Sequence, residues 1–594
     1  MAANETGTKK PLLTFAIITD THIRPPGGDD SSPFPVNELA NDRARYAVAA
    51  IARQKPEFTI HLGDMVHPLP HLPTYGEAAD EALRIIEPLR DGLHFVPGNH
   101  DVGDKPMVGS PAGPVDEESI EIYRKYFGPG HYSFDSSGLH IIVINSSLVN
   151  TGNDLEAKQR VWLEDDLERH ASDRTILFTH YPPFITDPSE PPHYDNYDRP
   201  GRAWLLDLVR KYEIEAVFSG HVHQFFYNRT GNTKLYCLPP TSFTRQDYSE
   251  LYNIGPAAEY GRNDTGKFSY ALVDVYEDGH RIRVIPTHGR CLGQGETLTK
   301  PDPISTHPST VPLTVHLRHA WARATDMPYN GPMEEYARKR ARDDNVLLRL
   351  WQMGISCVRT PLSDLLDQEY GPRVKDFHAA GIRFTFFCPG APEPQLWDAC
   401  VENKDLIETL EIVTSTADLS DIADQISKFD GFGGPPVHIG KFHSSAHEPK
   451  RGSTFAHSVS FGFKWEDREA LLPALRQADP KANISGVVFQ VNLEDDLANR
   501  FAQLDKWGLD AGLKSVAVIK LADANPAIAN FDDEAIAKHI GHALEASEGL
   551  ENLTLQLDTY TDIDRGYHPR HGLVDGRSNL RQAGVLLANR HTMQ

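Results

Sequence analysis

The sequence predicts an α/β protein of two domains: a layered α/β sheet structure, then a second α/β domain forming a (β/α)8, TIM-like barrel. Three observations carry this reading. The chain has 594 residues, more than one core usually serves. Five short apolar runs, Phe15–Ile18, Phe58–Leu62, Leu93–Val96, Thr175–Phe178 and Ala216–Phe218, each lead directly into a polar turn. Runs of this length, rich in Ile, Val and Phe and separated by helical patterns, read as buried strands. Beyond a proline-rich stretch, further apolar runs alternate with helical patterns, as a parallel barrel requires.

Residues 1–11 form a polar arm, and 12–290 the first domain. After Phe15–Ile18 comes Arg24–Asn37, too rich in Pro and Gly for regular structure. Asp29 and Asp30 within it read as solvated loop charges. Helical patterns follow at 38–53 and 76–90, a strand at Leu139–Ile144, and helices near 155–170 and 202–212. Tyr270–Tyr276 and Arg281–Ile285 flank Glu-Asp-Gly-His and read as a closing hairpin. Pro286–Pro312 is linker in character, with its boundaries set at 291–311.

The second domain, 312–594, holds nine apolar runs where a closed barrel needs eight. They are Leu313–Leu317, Ile355–Val358, Ile382–Phe387, Leu410–Val413, Val437–Phe442, Ser458–Phe463, Ile484–Val491, Ser515–Leu521 and Leu553–Leu557. Ser458–Phe463 is the expected excursion. Helices are expected at 334–351, 494–507 and 534–546. Arg359, His443, Gln490, Lys520, Asp523, Asp558 and Asp562 stand at strand ends without an ordered motif. A binding or structural role for this half is favoured over a second active site.

Composition narrows the function classes. Lys plus Arg number 59 against 83 Asp plus Glu, a formal charge of -24. This argues against a general nucleic-acid or anionic-membrane binder. The five cysteines are scattered without a CxxC pair, which suits a reducing compartment. No signal-peptide pattern opens the sequence, and no apolar stretch approaches the roughly 18 residues of a membrane span. The expectation is a cytoplasmic protein acting on a small molecule, with oligomeric state undetermined.

The five turns carry the chemistry. They are Asp20-Thr-His22, Gly63-Asp64, Gly98-Asn99-His100-Asp101, His180 and Gly220-His221-Val-His223. Ligands of open α/β folds gather at the carboxyl ends of strands, so the turns should converge. Asp, His and Asn are hard-to-borderline ligands suited to Mn, Fe or Zn. Seven of them, Asp20, His22, Asp64, Asn99, His180, His221 and His223, exceed one tetrahedral site and suit two ions sharing a carboxylate. Two ions about 3.5–4 Å apart can clamp both oxygens of an in-line displacement at phosphorus.

The ordered set DTH, GD, GNHD, a lone His before Tyr-Pro-Pro and GHVH resembles the calcineurin-like metallophosphoesterase superfamily across 12–290. The resemblance implies a four-layer α/β/β/α sandwich. It implies that Asp20, His22 and His223 bind one ion, that Asn99, His180 and His221 bind the second, and that Asp64 bridges them. His100 would then face the substrate, oriented by a hydrogen bond to the Asp101 carboxylate. His67 stands where purple acid phosphatases carry a tyrosine ligand, yet His22 is present here and absent there. His67 therefore reads as supporting a ligand or facing substrate. His193 and Arg245 are further candidate substrate contacts; a guanidinium fork binds two oxygens.

GDMVHPLP and VPGNHDVGD resemble a phosphoprotein-phosphatase-like branch, whereas the Asp-x-His opening resembles cyclic-nucleotide and glycerophosphodiester phosphodiesterases. The expected activity is hydrolysis of a phosphate ester, preferably a phosphodiester, by a metal-bridging hydroxide attacking phosphorus. The alternatives are a phosphomonoesterase or phosphoprotein phosphatase, a noncatalytic metal-binding scaffold, and a barrel that carries the main activity.

Overall fold

The computed structural model describes residues 10–28, 32–252, 254–299, 313–328, 338–428, 434–444, 459–521, 532–562 and 571–593. Asp29, Asp30, Asp523, most of the N-terminal arm and the linker from residue 300 lie outside them.

The first unit contains two sheets. Strands β1 (Leu13–Ile18), β2 (Thr59–His61) and β3 (Leu93–Phe95) run parallel. The second sheet comprises β4 (Tyr132–Ser136), β5 (Leu139–Val143), β6 (Arg174–Phe178), β7 (Ala216–Ser219), β8 (Phe226–Thr230) and β9 (Thr233–Cys237). The expected hairpin, β10 (Ser269–Tyr276) with β11 (Gly279–Pro286), pairs antiparallel to β1 and extends the first sheet. The orders are β11-β10-β1-β2-β3 and β4-β5-β6-β7-β9-β8.

Strand alternation builds the layers. On β1, Ala16 and Ile18 face a core formed with helices Ala40–Gln54 and Tyr75–Ile86. Phe15 points the other way, meeting Phe178 and Phe218 of the second sheet at 6.0 and 6.3 Å. The outer face of that sheet packs Leu177 and Val217 against Leu163 and Leu205 of helices Asp154–Arg169 and Gly201–Lys211. Helix, sheet, sheet, helix is the expected four-layer order.

The second unit contains a closed eight-stranded parallel barrel. Its strands are Leu313–His316, Cys357–Pro361, Arg383–Pro389, Ile407–Val413, Val437–Gly440, Ile484–Val491, Lys514–Ile519 and Leu553–Leu557. The ninth apolar run is an excursion: Val459–Phe461 pairs antiparallel with Phe442–Ser444 outside the barrel order. Of the strand-end polar residues, Arg359 lies buried in a two-pronged pair with Glu411, at 2.6 and 2.9 Å.

Two expectations need correction. The helix placed at 334–351 starts only at Asn345, and Arg340–Ala341 is a short strand. Nor does the stretch from 312 all belong to the second unit, because Ala324–Leu348 groups with the first. Met327 and Ala341 enter a core with Val222 and Tyr248, and Asp344 accepts from the Tyr227 N–H at 2.9 Å. Among the described residues, no helix is long and apolar enough to cross a membrane.

Candidate metal centre

The five turns converge. Backbone bonds link them in pairs: Asp20 N–H to the Gly63 carbonyl (3.1 Å), His22 N–H to Asp64 (3.0 Å) and Gly220 N–H to His180 (3.0 Å). Close approach requires glycine in these turns. A Cβ on Gly98 would overlap the Asp64 amide and carboxylate, and one on Gly220 would overlap Thr19. Asp20, His22, Asp64, His221 and His223 all have left-handed backbones, with φ of 51, 44, 52, 68 and 57°. Such positions cost on the order of 1–3 kcal/mol each and persist where the surrounding structure holds a functional geometry.

Two donor groups share one residue. In the first, Asp20, His22, Asp64 and His223 bring ligating atoms within 4.8 Å of one another. His22 Nε2 lies 3.1 Å from His223 Nε2 and 3.6 Å from Asp64 Oδ2, and His223 Nε2 lies 3.2 Å from Asp20 Oδ1. In the second, Asp64, His180 and His221 meet within the same limit. Asp64 Oδ1 is 3.3 Å from His180 Nε2, and Asn99 Oδ1 is 3.1 and 3.0 Å from His180 Nε2 and His221 Nδ1. The two Asp64 oxygens thus face different groups.

The donor set fits divalent cations. His180 Nδ1 bonds the Leu62 carbonyl at 2.7 Å and His223 Nδ1 the Phe243 carbonyl at 2.5 Å. Each bond turns Nε2 toward the cluster. The Asn99 amide donates to Tyr194 Oη at 3.1 Å, which turns its oxygen toward His180 and His221. His221 Nε2 is buried without a hydrogen-bond partner. Burial, reinforced by neighbouring histidines, holds His22 and His221 well below the usual imidazole range and therefore neutral. Burial opposes charge on Asp64, but His180 and His100 outweigh it and keep the carboxyl well below its usual range.

His67 sits beside this group. Its Nδ1 is 3.3 Å from His22 Nδ1, burial lowers it to about 3, and it lines the central cavity. His100 also lines that cavity; its N–H donates to Asp64 Oδ1 at 2.8 Å and its Nδ1 meets the His67 carbonyl at 2.6 Å. The expected Asp101–His100 bond is replaced. Asp101 accepts from the backbone N–H groups of Asp64, Met65 and Gly98 at 2.8, 3.1 and 2.8 Å. It clasps the Gly63 and Gly98 turns together, and a backbone carbonyl orients His100.

The other two candidate contacts divide. His193 is buried, and its Nε2 faces Glu190 at 3.2 Å; it stabilises its own loop and is absent from the cavity lining. Arg245 does line the cavity, but its guanidinium is paired with Asp195 and Asp247. Lys339, fully buried, meets the same two carboxylates at 2.7 and 2.6 Å. Burial works against charge on Asp195, and Arg245 and Lys339 overcome it. Asp195 Oδ1 also lies 3.6 Å from His221 Nε2.

The cavity measures about 270 Å³, and its lining includes His22, Asp64, His100, Tyr194, Phe243 and Arg262. Sequence reasoning missed Asp195, Arg262 and Lys339, which no strand-end pattern marks.

Residues 13–225 match the model of the family described as Calcineurin-like phosphoesterase. The Danio rerio protein named Serine/threonine-protein phosphatase CPPED1 is 31% identical over 191 residues, 30% of this chain and 59% of that protein. The chain thus spans under two thirds of that relative's length. A cAMP/cGMP dual specificity phosphodiesterase of Mycobacterium tuberculosis is 27% identical over 302 residues, 49% of this chain and 82% of that protein. Among solved structures, a purple acid phosphatase from yellow lupin (Lupinus luteus) seeds is similar at 16% identity and TM-score 0.33, covering 47% of this chain and 52% of that one.

Proposed function

We propose, from the premise that residues 13–225 are a calcineurin-like metallophosphoesterase domain, that this protein hydrolyses a phosphate ester at a two-metal centre, with phosphodiesters preferred. One observation carries the reading: Asp64 turns one carboxylate oxygen to each donor group, 3.6 Å from His22 Nε2 and 3.3 Å from His180 Nε2. Asp20, His22 and His223 would hold one ion, Asn99, His180 and His221 the other, and Asp64 both. Bound Mn, Fe or Zn ions would neutralise the phosphoryl oxygens and acidify water.

The chain's own groups do the remaining work. Asn99 and Tyr194 set the far wall. His100, anchored through Nδ1, has Nε2 left to hold a proton and pass it to the departing oxygen. Such proton transfer is worth about 10²–10⁴ in rate. The breadth of the phosphodiesterase likeness, 302 residues against 191, supports the diester preference. Likeness to CPPED1 at 31% identity favours a second reading, a phosphomonoesterase or phosphoprotein phosphatase.

Hydrolysis of bis(4-nitrophenyl) phosphate and 4-nitrophenyl phosphate by the full chain, before and after chelation, tests this. Diester turnover that disappears with the metals and returns with Mn, Fe or Zn is expected. Faster monoester turnover would shift the assignment to a phosphatase. Turnover indifferent to metal content would refute the centre.

A further inference from the structure

The cations around the cavity are unequally matched. Arg245 and Lys339 share two buried carboxylates, Asp195 and Asp247, so charge there is balanced. Arg262 has no such arrangement. Its Nη2 donates to the Asn37 side-chain oxygen at 3.3 Å, and its Nε is buried without a hydrogen-bond partner. The Glu259 carboxylate accepts instead from the Val36 N–H at 2.8 Å and the Asn263 amide at 3.3 Å. Burial and the charge of Arg245 push the Arg262 guanidinium down to about 10, against smaller opposing pulls from Glu259 and Asp247, neither of which pairs with it directly.

The surroundings hold this cation in place. Its guanidinium lies 4.3 Å from the Phe34 ring centre and 4.2 Å from that of Phe243. Glu259, Tyr260 and Gly261, immediately before it, have φ of 56, 59 and 99°. Thr244 pins this strained run, its hydroxyl donating to the Gly261 carbonyl at 2.6 Å and its N–H to the Arg262 carbonyl at 3.0 Å. Phe243 also sets the reach. Its ring lies 4.8 Å from that of His22 and 4.5 Å from that of His223, so Arg262 stands one aromatic ring away from the metal-ligand histidines. A guanidinium there meets a group displaced from the phosphorus under attack.

We propose that Arg262 is a specificity residue that binds a second oxyanion, a carboxylate or a further phosphate, carried by the substrate away from the scissile phosphoryl group. Phe34 and Phe243 flank the carbon skeleton between them. The inference rests on the phosphoesterase reading of this cavity, and Arg262 lies beyond residues 13–225 that match the family.

Binding of two non-hydrolysable probes, phenylphosphonate and 4-carboxyphenylphosphonate, to the metal-reconstituted full chain tests it by calorimetry. Wild type should bind the carboxylated probe about tenfold more tightly. Arg262→Met should erase that preference and leave phenylphosphonate affinity within about threefold. Arg262→Lys, which keeps the charge without the fork, should retain part of the preference and guards against misfolding of the methionine variant. No preference in wild type, or equal weakening of both probes in Arg262→Met, would overturn the proposal. Turnover of bis(4-nitrophenyl) phosphate and of 4-nitrophenyl phosphate, measured in parallel, separates the failures. Turnover without probe preference sinks the role of Arg262 alone, and preference without turnover sinks hydrolysis alone.

Discussion

Asp64 is the side chain on which the proposed centre depends, because both donor groups include it. Asp64→Ala should remove both ions, read as loss of two metal equivalents per chain by elemental analysis; retained dimetal content would refute the bridging assignment. The convergence of the seven candidate ligand positions was legible because each follows a strand whose composition announces it. Two of the substrate-side assignments were not. His193 looked available in a Pro-rich loop, but Glu190, three residues earlier, captures its ring. Asp101 looked like the partner of its neighbour His100, but three backbone N–H groups in its reach take the carboxylate first. Spacing shows which residues share a turn, not which way each side chain faces.

The two sheets are also joined through a hydrogen-bonded carboxylate. His280 on β11 faces Glu215, just before β7, at 2.6 Å, and Arg174 on β6 meets the same carboxylate at 2.8 Å. Burial opposes ionisation of Glu215, yet these partners lower it from 4.5 to about 2. A carboxyl depressed on folding stabilises above its unfolded pKa and loses that contribution as pH falls through the folded value. The stabilisation, on the order of 2 kcal/mol, should therefore fade between about pH 5 and pH 2. Glu215→Gln should lower stability at pH 7 and flatten the decline over that window in denaturant titrations; an unchanged profile would discount the tie. Among the elements, strands with dense apolar runs were predicted well, whereas the β8–β9 hairpin went unnoticed. Its signal was present: a two-residue turn, Gly231-Asn232, with Gly231 at φ 59°.

The order of the chain does not coincide with its division into units. Ala324–Leu348 follows the first barrel strand, Leu313–His316, yet belongs with the first unit, where Lys339 completes the charge balance around Asp195. Removing one partner of a buried ionic group commonly destabilises by about 3–5 kcal/mol. Lys339→Met should do so, and Lys339→Met with Asp247→Asn should recover much of the loss, as read from urea unfolding midpoints. A single variant as stable as wild type would show that Arg245 suffices. This return was invisible in the sequence because 144 positions separate Lys339 from Asp195, and Lys339 falls in a stretch whose pattern reads as helix, 334–351. The barrel, by contrast, was legible down to its ninth, excursive run, since strand–helix alternation is a local property.

If these histidines and carboxylates form a hydrolytic two-metal centre, His100→Ala should separate metal binding from turnover. Metal content and bis(4-nitrophenyl) phosphate turnover should be measured together on the variant and wild type. Two metal equivalents are expected in both proteins, with turnover reduced about 10²-fold or more in the variant. Equal turnover in the two, or two bound metals in a wild type that hydrolyses neither the diester nor 4-nitrophenyl phosphate, would contradict that reading.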